Sequence, residues 1–374
     1  MEKENKWNII KEKRLPLIII SFAVIIILIS LIMMIMSKKD TQAENKKETG
    51  NSIKAYEVIR EGSVLDNIAS TYVASSEGIN FAEAPGDGNG KGIYIRSGTE
   101  NNQYPIYYYR GEVTNNNVIF ADFCWKIVRT TETGGIKLIY NGIPSDGKCN
   151  NTNEASQIGK SKFNDKDDDN AYVGYMYGTP NSNTYEETHD NINNSTIKMY
   201  IDEWYKKNIE DKGYSKKTED TIWCNDRSLS SENIGIGTGS LKTIYASNQR
   251  LNSYKIIPVL SCKNNNDNFT VNKSNGNGAL TYPVALLTAD ETTLAGIGFK
   301  GYSDISYLYT GIPFMLMTPS MFLANYARTY QTHSSLWVAP IASTAGVRPA
   351  ISLKNDTEFI NGGDGTTNNP YVVK

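Results

Sequence analysis

Four cysteines, two histidines and one dense acidic run are the residues of this chain whose type and spacing bear most directly on chemistry. Cys124, Cys149, Cys224 and Cys262 form an even set. On the oxidising side of a membrane such a set closes two disulfides. Three pairings exist, and sequence proximity favours Cys124–Cys149 and Cys224–Cys262. Each closed loop would add about 3–4 kcal/mol in the chain-entropy picture. Zinc is the rival use of the same side chains, but no C-x2-C pair exists and only His189 and His333 could assist. No spacing links a cysteine to a histidine as nucleophile and base.

The acidic run is NDKDDDN, Asn164 to Asn170. Asp165, Asp167 and Asp169 occupy the first, third and fifth positions of a calcium loop. The sixth position holds Asn170 where such a loop turns on glycine, and the twelfth holds Met176 where a bidentate glutamate closes it. A solvated acidic loop is the favoured reading, calcium the weaker one, and no cofactor is expected. His189, in HDNINNS, and His333, in QTHSSLW, read as surface residues. Asp226–Arg227 and Arg348 could pair inside the fold. Arg348 precedes Pro349, which holds it extended, so it reads as a strand-positioning residue. Asp364 sits among glycines in a turn. No G-x-S-x-G, H-E-x-x-H, Walker or G-x-G-x-x-G context occurs. No catalytic residue is assigned, and the chain reads as a non-enzyme.

The elements that must position these residues are mostly strands. VIFADFCWKIVR and IKLIYNG alternate with period two and are joined by TTETGG, which predicts a hairpin. In its register Cys124 lies near residues 141 and 142, so Cys149 can return to it over a short loop. Ser195 caps a helix in which Ile197, Tyr200, Ile201, Trp204, Tyr205 and Asn208 fall on one face. Thr288 and Glu291 have capping-box spacing ahead of a short helix ending at Ala295. Tyr307–Leu316, Trp337–Ala339 and GVRPAISLK look like late strands, while residues 150–195 are loop-rich. Ala55–Val73 has near-helical apolar spacing broken around Gly62. The 24 tyrosines are read first as strand formers, half-buried, and second as a polar binding surface.

Upstream lies Leu15–Ser37, LPLIIISFAVIIILISLIMMIMS, uncharged and nearly all apolar. It is long enough for a membrane-spanning helix and lacks an A-x-A-like cleavage site, so it reads as an uncleaved anchor. Lysines and one arginine flank it on both sides, and the cytoplasmic placement of the N-terminus leans on the cysteines more than on those charges. The expected organisation is a stub at 1–14, the anchor at 15–37, a polar tether at 38–54, an irregular extension at 55–90 and an extracellular domain at 91–374. A net charge of −2 with no basic patch excludes a nucleic-acid partner.

Several segments in order, CWKIVRTTETGGIKLIYNG, AYVGYMYGTP, TIKMYIDEWYKKNI, TIWCNDRS, GNGALTYPVALLTADE and GVRPAISL, resemble an uncharacterised family of surface proteins from low-GC Gram-positive bacteria. That family looks related to the C-type-lectin-like fold, in the branch shared with formylglycine-generating (sulfatase-modifying) enzymes. The resemblance implies α+β: a C-type-lectin-like antiparallel sheet core with two main helices and long loops, here preceded by one transmembrane helix. The tripeptides of the lectin calcium site, Glu-Pro-Asn or Gln-Pro-Asp with Trp-Asn-Asp, are missing. The nearest echo, Trp223-Cys224-Asn225-Asp226, is interrupted by a cysteine. The paired-cysteine metal site of the formylglycine branch does not match cysteines placed in separate segments. Neither activity is carried over. The expectation is a single-pass cell-membrane protein that recognises an extracellular protein or glycan. An extracytoplasmic enzyme on a formylglycine-type fold and a structural envelope component are the alternatives.

Overall fold

A computed structural model describes residues 52–54, 74–75, 78–85, 91–96, 106–253, 255–298, 305–332 and 334–374. The chain divides into two units, Met1–Ser52 and Ile53–Lys374, and the elements described here belong to the second. The fold is α+β, rich in sheet and poor in helix.

Among the described residues the largest sheet has nine strands. In chain order they are β1 (Ala74–Ser75), β2 (Gly92–Arg96), β3 (Ile106–Arg110), β4 (Asn117–Phe120), β5 (Phe123–Thr130) and β6 (Ile136–Tyr140). A second set, described with its neighbours below, returns to it from the other end of the chain. The predicted hairpin is present: β5 and β6 pair from Trp125↔Tyr140 to Thr130↔Ile136, with a bulge between Ile127 and Arg129. Cys124 exchanges backbone hydrogen bonds with Gly142 and Asn141, as the register required. The run VIFADFCWKIVR is two strands, however. Ala121 and Asp122 adopt φ of 52° and 64°, a primed two-residue turn that folds β4 back on β5.

A second sheet has six strands among the described residues. It contains β7 (Gly159–Lys162), β8 (Thr243–Ile244), β10 (Phe314–Leu323), β11 (Tyr326–Thr332), β12 (Leu336–Pro340) and β13 (Thr344–Val347). The strands β9 (Val284–Ala285), β14 (Ala350–Leu353) and β15 (Tyr371–Val372) complete the nine-stranded sheet. GVRPAISLK is therefore a crossing point. Its first part pairs with β7 in one sheet and its second with β6 in the other. Arg348 stands at the switch, fully buried, and donates to the Tyr140 and Leu308 carbonyls and to Asn141 Oδ1 at 2.9–3.0 Å.

Helix α1 (Thr196–Tyr205) starts where its capping serine predicts, with Ser195 Oγ accepting the Lys198 amide. Its buried stripe is Ile197, Ile201 and Tyr205. Trp204 packs within 5.4–6.2 Å, centroid to centroid, of Phe123, Trp125 and Tyr140. Helix α2 (Ala246–Leu251) was not expected, whereas α3 (Ala289–Leu294) carries the full Thr288–Glu291 capping box. Side chains from both sheets and from α1 and α3 join one apolar core.

The expected fold class placed one transmembrane helix ahead of the sheets, and this is corrected. Among the described residues no helix is long and apolar enough to cross a membrane. Leu15–Ser37, the stub, most of the tether and the Ala55–Val73 segment lie outside the described residues.

Candidate functional site

Both disulfides follow the expected pairing, Cys124–Cys149 with Cα atoms 5.6 Å apart and Cys224–Cys262 at 5.5 Å. All four cysteines are used, so no thiol is left for redox or nucleophilic work.

Around the second disulfide the interior is charged. Arg227 is fully buried and binds Asp267 through Nε at 2.6 Å, with Met176 O, Asn191 Oδ1 and Asn266 O taking its other donors. Arg250 bridges Asp226 at 2.6 Å and Asp290 at 2.7 Å. Arg129 and Lys137 both reach Glu291 Oε1, at 2.8 and 2.9 Å, and Lys137 Nζ lies 4.0 Å from the Trp223 ring centre. Burial alone would raise the Glu291 carboxyl, but Lys137 and Arg129 outweigh it and hold it at about 2. The gap beside these groups is about 10 Å³, room for about one water. This lattice holds loops together and offers no ligand space.

The residues singled out in the sequence do not assemble into a site. Asp165 is exposed, 3.6 Å from Lys162. Asp167 is partly buried and its carboxyl is raised, by desolvation and by Asp168 beside it. Asp169 is buried and accepts the Ala171 and Asn181 amides at 2.8 and 2.7 Å, as a turn anchor. Among the described residues no group of three or more His, Cys, Asp or Glu could hold a metal ion. Asp226 and Arg227 take different partners, and Arg348 takes only carbonyl oxygens. His189 is 1 % exposed, not a surface residue. Its ring lies 4.4 Å from that of Tyr185, and desolvation, with Arg227 nearby, pushes its pKa well below the ordinary value. His333 lies outside the described residues. Asp364 anchors its turn by accepting the Thr366 amide.

An arrangement that can meet a ligand lies elsewhere, among residues the sequence did not single out. A cleft of about 430 Å³ opens where the chain leaves α1, between Tyr205, Tyr282 and the Asn272–Asn275 loop. Past Tyr205 the helix widens into a π-turn, Lys206–Glu210, which turns Glu210 to the cleft wall. Tyr205 is buried, and its ring stacks under Tyr282 at 5.3 Å and 29°. Desolvation raises the Tyr205 hydroxyl to about 12, and it shares a 2.8 Å hydrogen bond with Thr218. Tyr282 is only partly buried and lines the cleft.

The opposite wall is fixed by backbone chemistry. Asp220 accepts the Val271 and Asn272 amides at 2.8 and 2.7 Å, one on each carboxylate oxygen. Asn272 Oδ1 takes the Ser274 amide, and Ser274 Oγ donates to Asn275 Oδ1. Gly276 is packed so closely that an added Cβ would lie 2.4 Å from the Asn268 carbonyl. The loop is thus set before any ligand arrives, while the exposed Asn272 and Asn275 side chains keep their amide N–H donors for solvent. No lysine or arginine is among the described residues that line the cleft.

No protein-family model, no curated protein and no solved structure matches this chain.

Proposed function

We propose that this protein is a non-catalytic recognition protein of the cell exterior, and that the Tyr282 cleft binds a hydroxyl-rich ligand, a glycan. The observation that carries this reading is the pairing of a supported, half-exposed tyrosine ring with side-chain amides on a pre-set loop. A tyrosine face offers apolar contact to the C–H side of a sugar ring at little entropic cost, and amides and hydroxyls suit its polar edge. The two disulfides support a location outside the reducing cytosol, in keeping with the resemblance to Gram-positive surface proteins.

Glu210 and Asp220 are two carboxylates in one cleft, the raw material of a glycosidase. Asp220, however, has both oxygens engaged by backbone amides and serves the loop. That favours binding over hydrolysis. The test is a glycan array probed with the full chain, followed by assay of any bound glycan for new reducing ends. Retention without cleavage is expected. Cleavage would move the protein to the enzymes, and no retained glycan would overturn the reading.

A further inference from the structure

A second cleft is chemically the reverse of the first. It measures about 640 Å³ and lies between the segments Gly78–Phe81 and Lys255–Pro258. Its apolar lining includes Phe81, Ile256, Ile257 and Pro258, with Ile257 51 % exposed. Among the described residues that line it, the ionisable groups are both cations, Arg96 at the end of β2 and Lys255, and none is an aspartate or glutamate.

Arg96 differs from four arginines that hold the interior together. Arg129, Arg227 and Arg250 each have a carboxylate at 2.6–2.9 Å, and Arg348 donates three hydrogen bonds to oxygens. Arg96 is partly buried, yet among the described residues its guanidinium has one hydrogen bond, from Nη1 to the Pro258 carbonyl at 3.1 Å. It makes no ion pair with any described residue. After the Tyr108 phenol, Asp290 is the carboxylate whose charge it feels, but Arg250 and the Val259 amide already occupy both Asp290 oxygens. Those same bonds tether the strand of chain that forms the cleft wall. A guanidinium has five N–H donors in a planar fork that matches a carboxylate or phosphate. Sheltering it from water without an anion is costly, and an anion entering the cleft would offset that cost.

We propose that this cleft binds a small amphiphilic anion. One carboxylate or phosphate head is held by Arg96, with Lys255 adding attraction, and an apolar body lies against Phe81, Ile256 and Pro258. The volume falls within the range of small-molecule sites, about 300–1,000 Å³. The inference does not depend on the glycan reading.

The test is calorimetric titration of the full chain with 4-phenylbutyrate, 4-phenylbutyl phosphate and 4-phenylbutanol at one ionic strength. At least one anion is expected to bind about tenfold or more tighter than the alcohol, the worth of a charge-assisted bond. The tighter of the two anions identifies the head group. Arg96→Met is expected to abolish the preference over the alcohol. Ile257→Glu, at an exposed position that folding does not rely on, is expected to weaken the anions at least about tenfold by placing a carboxylate at the lining. Equal binding of alcohol and anions, no binding of any probe, or anion binding unchanged in Ile257→Glu would overturn the proposal. If Arg96→Met does not fold, Ile257→Glu decides alone.

Discussion

Around Arg227 the loops bring charge inward and the protein supplies the partners itself: Asp267, Asn191 and the carbonyls of Met176 and Asn266. In the Tyr282 cleft the same residue types are arranged to the opposite end. Asp220 and Asn272 are spent on fixing a loop, and what the fixed loop presents, the amides of Asn272 and Asn275 beside a supported ring, is left to solvent. The difference lies in burial and not in composition. An interior polar group must be satisfied by the chain because no water can do so, whereas a cleft group can wait for a ligand. Changes to the first region should therefore unfold the protein, and changes to the second should spare the fold and remove binding.

The largest effect is expected from Arg227→Met. It leaves Asp267 buried and without its cation, which costs about 3–5 kcal/mol. Urea denaturation checks it, and a loss under about 1 kcal/mol would erase the contrast between the two regions. Replacing Cys224 and Cys262 together by serine should cost about 3–4 kcal/mol, because the loop they close gains freedom in the unfolded chain. Reducing the wild type opens the Cys124–Cys149 bridge as well, so the shift between its oxidised and reduced midpoints should exceed that of the double serine variant.

Acid sharpens the comparison further. His189 is a base whose native pKa lies well below its ordinary value, so the unfolded chain takes up its proton first as pH falls. Its neutral form costs nothing above about pH 6.5, and stability is lost below it, by up to about 2 kcal/mol at pH 5. His189→Phe should remove that slope. Glu291 acts at lower pH. Its carboxyl is held at about 2, so its contribution is complete above the unfolded value and is lost as pH falls from about 4.5 toward 2. Unfolding free energies of wild type and His189→Phe at pH 7 and pH 5 separate the two groups. An equal slope in both proteins would remove His189 from the account.

Much of the sheet was legible because its signals are local. The β5–β6 hairpin, its register at Cys124, the Ser195 cap and the Thr288–Glu291 box each depend on residues within a few positions of one another. The break at Ala121–Asp122 was not legible, since alanine gives no hint of a positive φ. Lys137 alternates like a solvent-facing residue, yet it is buried because Glu291, far away in sequence, neutralises it and Trp223 covers it. His189 looked exposed in its polar loop for the same reason: what buries it, Tyr185 and Tyr245, includes a ring from a distant segment. The Tyr282 cleft joins the end of α1 to a loop some seventy residues on, and only the fold juxtaposes them. One signal was available. The segment from Val271 to Pro283 is dense in Asn and Gly around a tyrosine, the composition of a rigid polar loop.

The Tyr282 cleft, as proposed, is a glycan site on a scaffold that does not need it. The most direct test compares wild type with Tyr282→Ala on the glycan array and in urea. We expect retention to fall at least about tenfold, with unfolding free energy changed by less than about 1 kcal/mol because the ring is partly exposed. Undiminished retention by a folded Tyr282→Ala protein would contradict the account.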